Sequence, residues 1–214
     1  MTVLEIALPQ LKRDPVLVAE ALETLLPPFM VTLEEGSVIN GLRGSFVTEN
    51  DVDVTSQYRQ TLLLEWPSVE HFQKFITSQP FLDFGGKLKA YVDGPPNLKL
   101  IDVEGDVSHL FGSETVFEYI AIKPKDASEA GVKKILQQLQ AGRSHFGTSK
   151  MAFGASSNLE TQEIAVVILY GSDSELDAAK ELPARKQLLE EIKTSAEVTR
   201  LVAQVKKEIP AAGK

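Results

Sequence analysis

The chain has 214 residues, of which 43% are apolar and 24% charged, with no cysteine and a formal net charge of −8. That length holds one large domain or two small ones. The absence of cysteine excludes a disulfide framework, a thiolate nucleophile and a thiolate-bound metal, and the acidic balance repels phosphate backbones and argues against nucleic acid as a partner. The excess is uneven: residues 1–107 carry 8 Lys+Arg and 16 Asp+Glu, whereas residues 108–214 carry 14 of each. The start Met1-Thr2-Val3-Leu4-Glu5 lacks a basic secretory leader, and no unbroken apolar run reaches the ~20 residues of a membrane helix. A cytoplasmic protein without a membrane partner is expected.

In chain order, Thr2–Ile6 is rich in β-formers and runs through apolar residues to Pro9, as a buried strand does. Asp14-Pro15 then opens a helix with Leu17, Val18, Ala21, Leu22 and Leu25 at helical spacing, and Pro27-Pro28 predicts its end. Two strands follow, Ser37–Val47 and Gln57–Trp66, separated by the acidic stretch Glu49–Asp53. A second helical region carries Phe72, Phe75, Ile76 and Leu82 and is loosened at Gly85-Gly86. Leu98–Val103 reads as a strand and Gly105–Gly112 as a linker.

The pattern then recurs. Thr115-Val116-Phe117-Glu118-Tyr119 repeats Thr2-Val3-Leu4-Glu5-Ile6 at an offset of 113. A helix with Val132, Ile135, Leu136 and Leu139 ends at Gly142, and the strand Lys150–Ser156 sets Gly154 against Gly41. Thr161–Tyr170 matches Gln57–Trp66 at an offset of 104, so the first half has the longer hairpin connection. Leu176, Ala179, Leu188, Leu189 and Ile192 form a helical face broken at Pro183, and Val198–Val205 takes the place of the last strand. The order is βαββαβ twice: an α+β chain of two ferredoxin-like repeats, 1–107 and 108–214, whose antiparallel sheets pack on each other.

The segment Glu65–Phe84 carries a resemblance. Trp66, Ser68, Phe72, Ser78, Phe81 and Phe84 stand where the antibiotic biosynthesis monooxygenase family, part of the dimeric α+β barrel superfamily, has a strand-end aromatic, a Ser, a helix with spaced aromatics and Ser-x-x-Phe. In the second half Ser172 fits, but Ala179 and Leu182 do not. The resemblance implies that the duplication supplies covalently the barrel that two chains usually build, with unequal sites in the two halves. Members similar to quinol monooxygenases carry a helix His where this chain has Phe75. Haem-degrading relatives place Trp there and a His about ten residues on, where this chain has Phe75 and Gly85. A reaction without haem or another cofactor follows from the resemblance.

Candidate catalytic residues are Glu5, His71, Glu118 and His145. Glu5 and Glu118 sit among apolar strand residues, where burial raises a carboxyl pKa and makes a base, unless the strand turns them to solvent. His71 is a candidate base beside the charged Glu70 and Lys74, and His145 lies in the loop Gly142–Gly147. With His109 in the linker, the three histidines lack the spacing of a metal site, and none is expected. Trp66, Phe72, Phe75 and Tyr58 are candidate substrate contacts or core. Tyr58, Gln60, Leu62, Leu64 and Trp66 share one strand face. Asn40 and Arg43 lie on opposite faces of their strand, and whichever is buried needs a polar partner such as a ligand oxygen.

Two functions stay open. One is a cofactor-independent monooxygenase, or a related cyclase, acting on a hydrophobic aromatic or polyketide-like small molecule between sheet and helices. The other is a non-catalytic small-molecule-binding or stress-responsive barrel. The expected assembly is a monomeric pseudo-dimer or a homodimer.

Overall fold

The computed structural model describes residues 2–103, 105–159 and 162–209. Among these residues nine strands are set between helices and turns: β1 (Val3–Leu8), β2 (Asn40–Glu49), β3 (Val52–Asp53), β4 (Gln60–Trp66), β5 (Asn97–Val103), β6 (Val116–Pro124), β7 (Met151–Ser156), β8 (Ile164–Tyr170) and β9 (Ala196–Ile209). The sheet runs β3-β2-β4-β1-β5-β7-β8-β6-β9, and β2 also pairs with β9. That last pairing closes eight antiparallel strands into a barrel and leaves only the short β3 outside the ring. The segment Val198–Val205 is therefore strand.

Period-two alternation sorts the side chains. One face of each strand fills the barrel: Leu4 and Ile6, Leu42 and Phe46, Leu63, Phe117 and Tyr119, Val167 and Leu169, Leu201 and Ala203. The other face meets helices packed outside, which is why β4, β6 and β8 are buried almost throughout. Val107, Leu110 and Phe111, in the segment expected to be a linker, also pack into the barrel core. Two polar clusters lie inside. Asn40 Nδ2 donates to Glu65 Oε2 at 2.7 Å and Ser108 Oγ to Glu65 Oε1 at 2.9 Å. Lys99 Nζ lies 2.6 Å from Glu163 and 2.9 Å from Tyr119 Oη, whose hydroxyl donates to Glu163.

The two seams explain two glycines. A Cβ on Gly154 would stand 1.8 Å from the Asp102 carbonyl oxygen, and one on Gly44 2.1 Å from that of Gln204. Gly154 lies opposite Ala165 and Val103, and Gly44 opposite Thr61 and Val205. The strand register thus seats Gly154 with Gly44, not with the Gly41 of the sequence match. Gly154→Ala is expected to cost about 3 kcal/mol or more, because backbone has to move, and a urea melt measures it.

The acidic stretch has a structural task. Asn50 and Asp51 both take positive φ and form a two-residue hairpin turn between β2 and β3. Asp51 then bonds Lys180 at 2.9 Å and Arg200 at 3.4 Å, and Asn50 Oδ1 accepts from the Arg200 N–H. The first half's insertion thereby clasps β9.

The helices of the first half are α1 (Pro15–Glu20), α2 (Leu26–Glu35), α3 (Val69–Ile76) and α4 (Gln79–Leu88). Those of the second are α5 (Glu129–Ala141), α6 (Asp173–Lys180) and α7 (Pro183–Ser195). Pro27-Pro28 does not stop the first helix. A π-turn over Ala21–Leu25 joins α1 to α2, with the Leu26 N–H bonded to the Ala21 carbonyl. The wider turn puts Pro27 in the first turn of α2, where its missing N–H and its ring are tolerated. The resulting 21-residue helix, Pro15–Glu35, has a mean hydropathy of 1.6 over its most apolar window and is long and apolar enough to cross a membrane by length and composition. This corrects the expectation that no segment is, which rested on the lack of an unbroken apolar run; the helix passes with Glu20 and Glu23 inside it. Here the helix packs Val18, Ala21, Phe29, Met30 and Leu33 inward.

Candidate functional site

Between the helices and the sheet of the first half lies a cavity of about 570 Å³. Ala7, Leu62, Leu64 and Leu98 form its floor, Leu22, Leu25 and Phe29 one wall, and Phe75, Phe81 and Phe84 another. The π-turn belongs to this wall through Ala21, Leu22 and Leu25. Gly85 and Gly86 line it within α4, which stays helical through both. A Cβ at Gly86 would meet nothing within 4 Å. Gly86→Ala is therefore expected to stabilise the protein by about 0.5–1 kcal/mol, read as a raised melting temperature.

Glu5 is the only carboxylate lining this cavity among the described residues. It sits on the helix-facing side of β1 and is 5% exposed. Trp66 Nε1 donates to its Oε2 at 2.7 Å. Burial pushes the Glu5 carboxyl up to about 7, against the opposing pull of the Trp66 hydrogen bond. An apolar cavity thus holds one carboxyl that exchanges its proton near neutrality, the property a general base needs.

In the second half β6 pairs with β8 and β9 as β1 does with β4 and β5, and it too carries a buried carboxylate, with different partners. Glu118 on β6 is fully buried, but Arg185 of α7 lies 2.5 Å from Oε1, Arg200 Nε 3.2 Å from the same oxygen, and Tyr170 Oη donates to Oε2 at 3.1 Å. The Arg185 side chain is 1% exposed and lies over the Phe146 ring, 5.4 Å from its centroid. It fills the layer that stands open in the first half. Burial and the nearby Glu118 charge push the Tyr170 hydroxyl upward, so it stays a neutral donor. The cleft left outside, about 290 Å³, is lined by Asp51, Lys180, Lys186, Lys193 and Arg200 and is polar.

Of the sequence-derived candidates, Glu5, Phe75 and Arg43 line the cavity. The others lie elsewhere. Trp66, fully buried, holds Glu5 from behind, with Phe72 edge-on at 5.9 Å. Tyr58 packs beside Leu11 and Val92 outside the lining. Asn40 faces the barrel interior and bonds Glu65. His71 is exposed on α3 with its ring bonded to Ser68 Oγ at 3.0 Å, so the helix face turns it to solvent. Glu118 is ion-paired with Arg185 and Arg200. His145 lies on the 3-10 turn Arg143–Phe146 of the second half, its Nδ1 buried without a partner among the described residues. Sequence reasoning missed Arg185. The signal was present: positions 185, 188, 189 and 192 share one helical face, and the first of them is an arginine.

No family model matches the chain, and no curated protein does. Solved structures do. An anthrone oxidase-like protein superposes with a TM-score of 0.63 at 12% identity, covering 100% of this chain and 97% of its own. A candidate monooxygenase from Lactobacillus acidophilus gives 0.62 at 12% identity, covering 99% and 97%. A haem-binding protein from Thermus thermophilus gives 0.55 at 11% identity, covering 96% and 92%. At such identities the likeness shows the fold: an antiparallel barrel jacketed by helices, shared over nearly the whole chain by proteins of more than one activity.

Proposed function

We propose that the chain is a tandem duplication, 1–107 and 108–214, of a ferredoxin-like unit of the antibiotic biosynthesis monooxygenase type. One chain then completes the barrel, and its single working site is the first-half cavity. The reading of activity is a cofactor-independent oxygenase acting on a hydrophobic, aromatic or polyketide-like molecule. The observation that carries it is Glu5: an uncompensated carboxyl at the floor of an apolar cavity, titrating near neutrality. Ionised Glu5 removes a proton from an activated C–H or phenol of the bound molecule. The apolar walls exclude water, and the Trp66 N–H holds the carboxylate in place. The carbanion adds dioxygen, Glu5 returns its proton to the peroxide, and loss of water from that hydroperoxide leaves a ketone. The same proton abstraction without dioxygen is the first step of an aldol cyclisation.

Haem does not fit. Among the described residues lining the cavity there is no His, Tyr, Cys or Met to act as an axial ligand.

The test is oxygen uptake with anthrone- and quinol-type substrates, in air and under argon. Uptake with formation of the quinone supports the oxygenase, and conversion under argon supports the cyclase. Binding without either supports a carrier, a reading favoured by the absence, among the described lining residues, of a second carboxylate, a His or a Tyr beside Glu5.

A further inference from the structure

The first half holds 16 acidic and 8 basic residues, yet its cavity inverts that balance. Its charged lining residues are Glu5, Arg43 and Lys89: one acid and two bases. The two bases do not neutralise Glu5. Arg43 binds Glu208 through Nε at 3.0 Å and Nη2 at 2.8 Å, and Lys206 binds the same carboxylate oxygen at 2.8 Å. Two cations thus share one anion, and no hydrogen bond occupies Arg43 Nη1 among the described residues. Lys89 is absent from the ion pairs found there.

The strand register fixes where polar groups stand. Glu5 lies opposite Leu64, and Arg43 opposite Leu62. Gln60, whose Oε1 accepts from Ser45, faces the cavity four residues from Leu64, roughly 13 Å along β4. Lys89 closes α4 beside Leu88 and Val92, which line the cavity with Pro9 and Leu11. One end therefore offers a carboxyl and the other a guanidinium, an ammonium and an amide, with apolar wall between them.

We propose that the ligand is an amphiphilic acid. Its apolar body, roughly 7–13 Å long by the strand rise from Leu64 to Leu62 and Gln60, spans the cavity. Its reactive C–H or O–H lies at Glu5, and a carboxylate or equivalent anionic group lies at Arg43, Gln60 and Lys89. This rests on the reading of the first-half cavity as the ligand site and names which apolar molecules it selects. The anion needs no displacement of Glu208, because Arg43 Nη1 and Lys89 are already available to it. Arg43 and Lys89 set specificity and take no part in proton transfer.

Two fluorescent probes with the same naphthylamine body separate the claims. N-phenyl-1-naphthylamine is neutral, and 1-anilinonaphthalene-8-sulfonate is its anion. At pH 6, where Glu5 is largely protonated, both are expected to bind once per chain and to displace each other. Arg43→Met and Lys89→Met are each expected to weaken the anionic probe about tenfold and leave the neutral one within about twofold. Added salt weakens only the anionic probe. An anion-to-neutral affinity ratio unchanged in both variants overturns this inference and leaves the cavity reading standing. Failure of the neutral probe to bind overturns the cavity reading itself, and the inference with it.

Discussion

Arg185→Ala is expected to lower the stability of the protein by about 3 kcal/mol. The substitution leaves Glu118 buried with only the longer Arg200 contact and the Tyr170 hydroxyl, and it opens a void over the Phe146 ring. Arg185→Met restores most of the volume without the charge and should recover only a small part of the loss. Glu118→Leu combined with Arg185→Met should return close to the parent, because an apolar pair needs no desolvated charges. Urea melts of these proteins, with the single variant Glu118→Leu completing the cycle, give the coupling. A loss below about 1 kcal/mol in Arg185→Ala, without coupling to Glu118, would show that Arg185 is not the counter-charge that closes the second site.

Glu5→Gln tests the opposite situation, a carboxyl with no counter-charge. The amide still accepts from Trp66, so the fold stays intact, while any turnover by the proposed base should fall by about 10²–10⁴. A second readout does not depend on the substrate. In the unfolded chain this carboxyl titrates near 4.5, and in the folded one near 7. Below pH 4.5 it is neutral in both states and costs nothing. As pH rises towards 7 the unfolded state ionises first, so stability falls, by about 3 kcal/mol at the alkaline plateau. Glu5→Gln removes that slope and is expected to be the more stable protein at pH 8 and an equal one at pH 4. Parallel stability curves for the two proteins would mean that Glu5 ionises normally and is no base poised near neutrality.

The strands and most helices were legible because alternation and helical spacing are local. The offset of 113 between Thr2–Ile6 and Thr115–Tyr119 marked both of the strands that became β1 and β6. What stayed hidden was set by distance in the chain. Gly44, not Gly41, answers to Gly154 because the seam partners Val205 and Val103 decide which residue lacks room for a side chain. The prolines at 27 and 28 read as a stop because one turn of π-helix has no sequence mark. Glu5 and Glu118 look alike in their strands. Their difference lies in Arg185, 67 residues beyond Glu118. His71 looked chemical by type, but one turn of helix points it to solvent.

The pairing of β9 with β2 joins Arg200 to Asn50 across 150 positions. A ribosome releases β2 long before β9 exists. Through that interval the nascent first half exposes the unpaired backbone of β2, and loop closure on this scale is slow. A chain cut short before β9 keeps an open strand edge and is a candidate for aggregation, whereas the finished chain seals it.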